Sequence, residues 1–124
     1  MRVSAAVAVV MSVIALAVAQ GAGAASPSKL IGVVGKNGSF TITLKNARGK
    51  VVRTLPAGTY TIVVRDYSAM HNFELEREHH GSSRDITDVD FVGTKTLRVK
   101  LTRGEYKVYC EPHESTMFQN FTVR

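Results

Sequence analysis

The chain has 124 residues and a single cysteine, so it forms no internal disulfide, and it is long enough for one hydrophobic core but too short for two once a terminal segment is set aside. Lys and Arg outnumber Asp and Glu by 16 to 10, a formal charge of +6 that suits an anionic partner or a solubilising basic surface. It does not suit a nucleic-acid reader, because Lys29, Lys36, Lys45, Arg65, Lys95, Arg98 and Arg103 are scattered, with no basic run and no known reader motif.

The first element is apolar. After Arg2, the stretch Val3 to Ala19 is broken only by Ser4 and Ser12, and Gln20 to Ser28 turns small and polar. A positive start, an apolar middle and Ala22-Gly23-Ala24 make the plan of a secretory signal over residues 1–24, leaving a mature domain of 25–124 with a charge of about +5 (6 − 1, for Arg2). Cuts after Ala19 or Ala25 also fit. The alternative is an uncleaved anchor, since a run of roughly 17 apolar residues just reaches across a bilayer. No twin arginine precedes the run, which favours export of an unfolded chain to the periplasm or the exterior. An unpaired thiol in such a compartment is a liability unless it is buried, bonded to a partner or bound to metal.

Residues 25–38 form an N-terminal segment with a first strand. Beyond it the period is two: Phe40, Ile42 and Leu44 alternate with Thr41, Thr43 and Lys45; Tyr60, Ile62 and Val64 with Thr61 and Arg65; Leu97, Val99 and Leu101 with Arg98, Lys100 and Thr102. Turn signals separate these runs at Gly35 to Gly38, Asn46 to Gly49, Pro56-Ala57-Gly58 and Arg103-Gly104. Short strands around one core predict a single all-β domain, an antiparallel Greek-key sandwich or barrel. The polar stretch from Glu76 to Asp88 reads as the longest loop, with room for a short helical turn.

Parity then gathers the chemistry. His71 shares the inward face of Phe73 and Leu75, Cys110 that of Tyr106 and Val108, and Met117 that of Phe121 and Val123, while His113 lies in the loop between. One thiolate, two imidazoles and a thioether are the donors of a mononuclear blue-copper site, in which soft sulfur holds Cu(I) and imidazole still accommodates Cu(II). Taken singly, Cys110 reads as a buried thiol, His71 as a core histidine and Met117 as a core filler. It is the combination that points to copper. His79 and His80, adjacent in a polar loop, read as solvated and receive no role.

These stretches resemble the cupredoxins, in particular the small plastocyanin and amicyanin type. The likeness runs through Gly58 to Asp66 into Met70-His71-Asn72-Phe73, then Asp90 to Thr94, then Gly104 to Cys110 with Pro112-His113 and Met117, so that residues 39–124 form a cupredoxin-like copper-binding domain. The resemblance implies one copper ion per chain, bound by the imidazoles of His71 and His113, the Cys110 thiolate and Met117 as a weak axial ligand. Three residues separate His113 from Met117, fewer than in plastocyanins and more than in amicyanins. The resemblance also implies that Asn72 donates its backbone N–H to the cysteine sulfur while its side chain ties two loops together. Pro112 has no N–H and adds no such donor. In the family the loop histidine reaches the surface through an apolar patch, here His113 with Met70 and Phe118 nearby and Glu111 and Glu114 forming an acidic rim.

The implied function is the carriage of single electrons between redox proteins by a monomer, with no nucleic acid, no stable membrane insertion after signal cleavage and no catalysis. Copper carriage or storage without electron shuttling is the alternative, and a metal-free adhesion sandwich a third. A Cys110 nucleophile with His113 as base lacks an orienting third residue and an oxyanion hole. Copper oxidases and nitrite reductases use related domains but need further histidine-rich sites and longer chains.

Overall fold

The computed structural model describes residues 26–124; the expected export segment, residues 1–24, lies outside the described residues. Nine strands follow in order: β1 (Ser28–Val34), β2 (Ile42–Asn46), β3 (Thr54–Leu55), β4 (Gly58–Asp66), β5 (Phe73–Arg77), β6 (Ser82–Thr87), β7 (Gly93–Leu101), β8 (Gly104–Tyr109) and β9 (Phe118–Val123). Two short 3-10 turns interrupt them at Lys36–Gly38 and Glu111–His113. The strands form a four-stranded sheet in the order β2-β1-β4-β7 and a five-stranded sheet in the order β3-β9-β8-β5-β6.

The all-β sandwich is as expected from the period-two pattern, and most pairings are antiparallel. Two are parallel, β1 with β4 and β3 with β9, so both sheets are mixed. β1 pairs on both sides, with β2 and β4, and so is an inner strand of its sheet rather than an edge. The stretch from Glu76 to Asp88 departs from expectation. It is not a loop with a helical turn: β5 runs to Arg77, a tight turn follows, and β6 occupies Ser82–Thr87. That strand escapes the hydrophobic pattern because Ser82 to Asp85 face solvent at a sheet edge, and only Ile86 and Thr87 are buried.

Inward residues of both sheets fill the space between them. Leu30, Val34, Leu44, Ile62, Val64 and Leu101 come from one sheet, and Phe73, Leu75, Tyr106, Val108, Phe121 and Val123 from the other. Gly32 interrupts the inward row of β1 for a packing reason: a Cβ there would lie 2.7 Å from the ring of Phe73. Two tyrosines brace strand entries from within, Tyr60 Oη donating to the Pro56 carbonyl at 2.6 Å and Tyr106 Oη to the Thr102 carbonyl at 3.0 Å. Phe40 departs from its expected inward place. β2 begins only at Ile42, so Phe40 stays on the connection before it and is exposed.

One polar side chain holds the sheets together from inside. Gln119 on β9 is buried, accepts the Leu44 N–H at 2.8 Å, and donates to the carbonyls of Leu44 at 3.0 Å and Val52 at 2.9 Å. The Leu44 carbonyl also accepts the Val52 N–H, so loss of Gln119 strands the Leu44 N–H and the Val52 carbonyl. A buried amide left without a partner costs about 1–3 kcal/mol. Gln119→Ala is expected to lower stability by about 3 kcal/mol, read as a lower urea midpoint at unchanged slope. An unchanged midpoint would remove Gln119 from the forces that join the sheets.

Candidate metal centre

The site lies at one end of the sandwich, where the chain crosses from β4 to β5, from one sheet to the other, and where β8 turns back into β9. The crossover is held by the inward carboxylate at the end of β4. Asp66 Oδ1 accepts the Ser68 N–H at 3.1 Å, and Oδ2 accepts the Thr87 hydroxyl at 2.7 Å. Thr87 Oγ1 in turn accepts the Phe73 N–H at 2.9 Å, which joins β6 to the start of β5. Burial pushes the Asp66 carboxyl above its usual range, against the pull of Thr87, the Ser68 N–H and His71. His71 follows, its N–H donating to the Ser68 carbonyl at 3.2 Å. Gly35, at φ 68°, permits the approach of this loop, because a Cβ there would lie 2.7 Å from Ser68 Cβ and 3.0 Å from the His71 ring.

The second loop is closed by its own backbone. The Cys110 N–H donates to the Met117 carbonyl at 3.0 Å, and the His113 carbonyl accepts the N–H of both Thr116, at 3.0 Å, and Met117, at 2.8 Å. Three residues between His113 and Met117 therefore make one tight turn that returns Met117 beside Cys110. Both Cys110 and Met117 are buried in the core cluster. Pro112 sits in the first turn of the 3-10 segment Glu111–His113, where its missing N–H leaves no bond unmade. Asn72 links the loops: its Oδ1 accepts the Glu111 N–H at 2.7 Å and its Nδ2 donates to Glu74 Oε1 at 3.1 Å.

Three donor atoms converge. His71 Nδ1 and His113 Nδ1 are 3.2 Å apart, and Cys110 Sγ lies 3.8 Å from the first and 3.6 Å from the second. A first-row ion takes bonds of about 2.0–2.1 Å to imidazole nitrogen and about 2.3 Å to thiolate, and one point between the three atoms satisfies all three separations. Two imidazoles and one thiolate in a near-trigonal array, with a buried thioether beside them, fit one copper ion.

The electrostatics agree with that use. Burial, then the nearby His113, lowers the His71 pKa, so its ring is neutral and keeps a lone pair. Asp66, then the backbone of Ser39, pull the other way without outweighing burial. Burial raises the Cys110 thiol pKa, and the backbone N–H groups of Asn72 and His113 oppose it. The His113 N–H itself donates to the Cys110 carbonyl at 3.1 Å, which tightens the turn that follows the cysteine. A bound cation would ionise the thiol.

Phe40, absent from the sequence reading of the site, closes the cluster toward solvent. Its ring meets His71 and His113 edge-on, with centroids 4.9 and 5.0 Å away. Met70 and Phe118, chain neighbours of His71 and Met117, are also exposed, at 60% and 47%. His79 and His80 take no part; His79 Nε2 lies 3.7 Å from Glu105 in solvent.

On the outer face of the five-stranded sheet, Glu74, Asp85 and Glu111 gather behind Asn72. Burial would raise Glu74, but bonds from Tyr109, Asp85, Glu111 and Asn72 outweigh it and hold it ionised. The hydrogen bond to Glu74 is the main reason Asp85 is pushed up to about 6, and burial, then Glu74, pushes Tyr109 up to about 12. Asn72 and Tyr109 donate to the two Glu74 oxygens, at 3.1 and 2.7 Å. Lys107 stands among Glu76, Glu78 and Glu114, at 3.5, 3.5 and 2.7 Å, so the expected acidic rim at Glu111 and Glu114 extends over this whole face.

No protein-family model matches the chain, and no curated protein matches it. Solved structures do. Rusticyanin from Thiobacillus ferrooxidans is similar at 14% identity and a TM-score of 0.54, over 77% of this chain and 76% of that one. A rusticyanin variant gives 16% and 0.58 over 77% and 76%, and reduced rusticyanin 16% and 0.54 over 77% and 78%. A further rusticyanin structure, at 15% identity and a TM-score of 0.54, is described as that of a copper protein. Identity this low bears on the backbone alone: the chain has the cupredoxin fold.

Proposed function

We propose that this protein is an exported, mononuclear blue-copper electron carrier in which His71, Cys110, His113 and Met117 bind the metal. The observation that carries the reading is the convergence of His71 Nδ1, His113 Nδ1 and Cys110 Sγ within 3.2–3.8 Å, with Met117 buried alongside. Copper held by such donors supplies a one-electron couple. The similar rusticyanin structures, one of them described as a copper protein, support the same reading.

The chain's own residues supply what fast transfer needs. Both loops are fixed by backbone bonds, by Asn72 and by Asp66, so the donors keep one arrangement whichever charge the site carries. His113 is the partly exposed donor, and with copper bound it would offer the path to a redox protein partner. The exposed ring of Phe40 over the two imidazoles, with exposed Met70 next to His71 in the chain, suits brief contact with that partner. In this reading the protein carries electrons without transforming a substrate, and it works as a monomer in the periplasm or outside the cell. Among the described residues no helix is long and apolar enough to cross a membrane.

The test is a Cu(II) titration of the protein with the visible spectrum recorded. An intense blue band is expected to saturate at one copper per chain and to vanish in Cys110→Ser; a folded, reduced protein without such a band would refute the thiolate site. Fast electron self-exchange would then separate a shuttle from a copper carrier or storage protein, which would instead pass metal to an acceptor while exchanging electrons slowly.

Two substitutions test the surroundings of the sulfur. Pro112→Ala creates an N–H in the ligand loop, and a further hydrogen bond to sulfur drains electron density that favours Cu(II). The reduction potential is expected to rise by voltammetry; a lower or unchanged value with the blue band intact counts against this account. Phe40→Ala removes the ring that covers both imidazoles. Copper is expected to pass to a chelator faster, with the blue band unmoved in position, and equal release rates would strip Phe40 of its covering role.

A further inference from the structure

The two outer faces of the sandwich carry opposite charge. On the four-stranded sheet the outward positions are the odd residues of β1, β2 and β4 and the even residues of β7, as the register and the burial alternation require. Those positions include Lys29, Lys45, Arg65, Arg98 and Lys100 and no Asp or Glu. None of the five cations takes part in a salt bridge among the described residues.

Register distributes them evenly. Arg65 stands in the row with Val33, Thr43 and Thr94; Lys45 in the row with Ile31, Val63 and Thr96; Lys29 and Arg98 flank Thr61; Lys100 is opposite Thr59. Successive rows are about 7 Å apart and strands about 4.8 Å, so every row of a broad, shallow face presents at least one unpaired cation. Threonines and half-buried aliphatic side chains fill the remainder, and no aromatic residue occurs at these positions.

We propose that this basic face adsorbs to the surface of a bilayer containing anionic phospholipid. The geometry favours lipid over the alternatives. A compact anion needs cations converging on one point, and these are dispersed. Tight protein interfaces centre on aromatic or arginine anchors buried in pockets; this face has no aromatic residue, and Arg65 and Arg98 stand exposed on open strands. A planar array of negative headgroups matches a planar array of cations, each contributing a similar increment. The contact is adsorption, not insertion. It also leaves the metal loop open: His113 comes from the β8–β9 connection of the opposite sheet, so a molecule lying on its basic face holds that histidine clear of the bilayer.

The experiment is co-sedimentation of the chain with phosphatidylcholine vesicles, with and without phosphatidylglycerol, at low and high salt. Binding to the anionic vesicles is expected at low salt, with release at high salt and little binding to the neutral ones. The variant Arg65→Gln/Arg98→Gln/Lys100→Gln is expected to bind at least about tenfold more weakly. Arg53→Gln/Arg103→Gln/Arg124→Gln, with the same net charge, is expected to stay within about threefold of the parent. The thermal midpoint shows that each variant is folded. Equal loss in both variants would mean that net charge alone acts and would overturn the proposal, as would equal binding to both kinds of vesicle or none to either. Binding to polyglutamate but not to anionic vesicles, lost in the first variant, would overturn the lipid assignment in favour of an acidic protein.

Discussion

Placing a thiol and an imidazole side by side out of water is the constraint on which the rest of this structure depends. Neither Cys110 nor His71 meets bulk solvent, and each has to present a lone pair toward the other. Such an arrangement collapses unless the backbone around it is held by bonds that do not involve the donors themselves. Asp66 and Thr87 fasten the crossover that carries His71, and the carbonyls of His113 and Met117 close the loop that carries Cys110. Apart from the donors themselves, Asn72 bonds across both loops, Glu74 accepts its amide, and Tyr109 donates to Glu74 from the far side of the sheet.

The same constraint accounts for where polarity is admitted into the core. Asp66, Asn72, Glu74, Thr87 and Gln119 are all buried, and every one has named partners. Four of the five serve the metal end directly. The fifth, Gln119, joins β9 to β2 and to Val52, and β9 begins immediately after Met117. Its placement ties the position of the loop to the edge of the opposite sheet.

Much of this was legible in the sequence because strand parity is a strong signal when one face is buried. The inward places of His71, Cys110 and Met117 follow from apolar residues two to six positions away, and Asp66 continues the inward row of Tyr60, Ile62 and Val64. The illegible parts share a cause. β6 carries its burial in only its last two residues, and β2 starts two residues later than its alternation implies, which turned Phe40 from a core residue into a cover for the histidines. Nor does spacing show that Gln119 and Leu44, 75 residues apart, are bonded. Hydrophobic period reports which face a strand buries; it is silent on where pairing begins and on polar contacts between distant strands.

Charge is arranged by sheet in a way that net charge conceals. Most of the ten acidic residues gather on or around the outer face of the five-stranded sheet, with Lys107 set among them, while the outward strand positions of the opposite face carry cations without acids. Period two makes this separation inexpensive, since outward positions of a strand vary without disturbing the core. It also means that a field runs across the thickness of the sandwich rather than along it. The metal loops open at the end of the sandwich, at right angles to that field, so an encounter at His113 and an encounter at either sheet face use separate surfaces. One small domain can therefore be oriented by one charged face while its partly exposed histidine stays free for another contact.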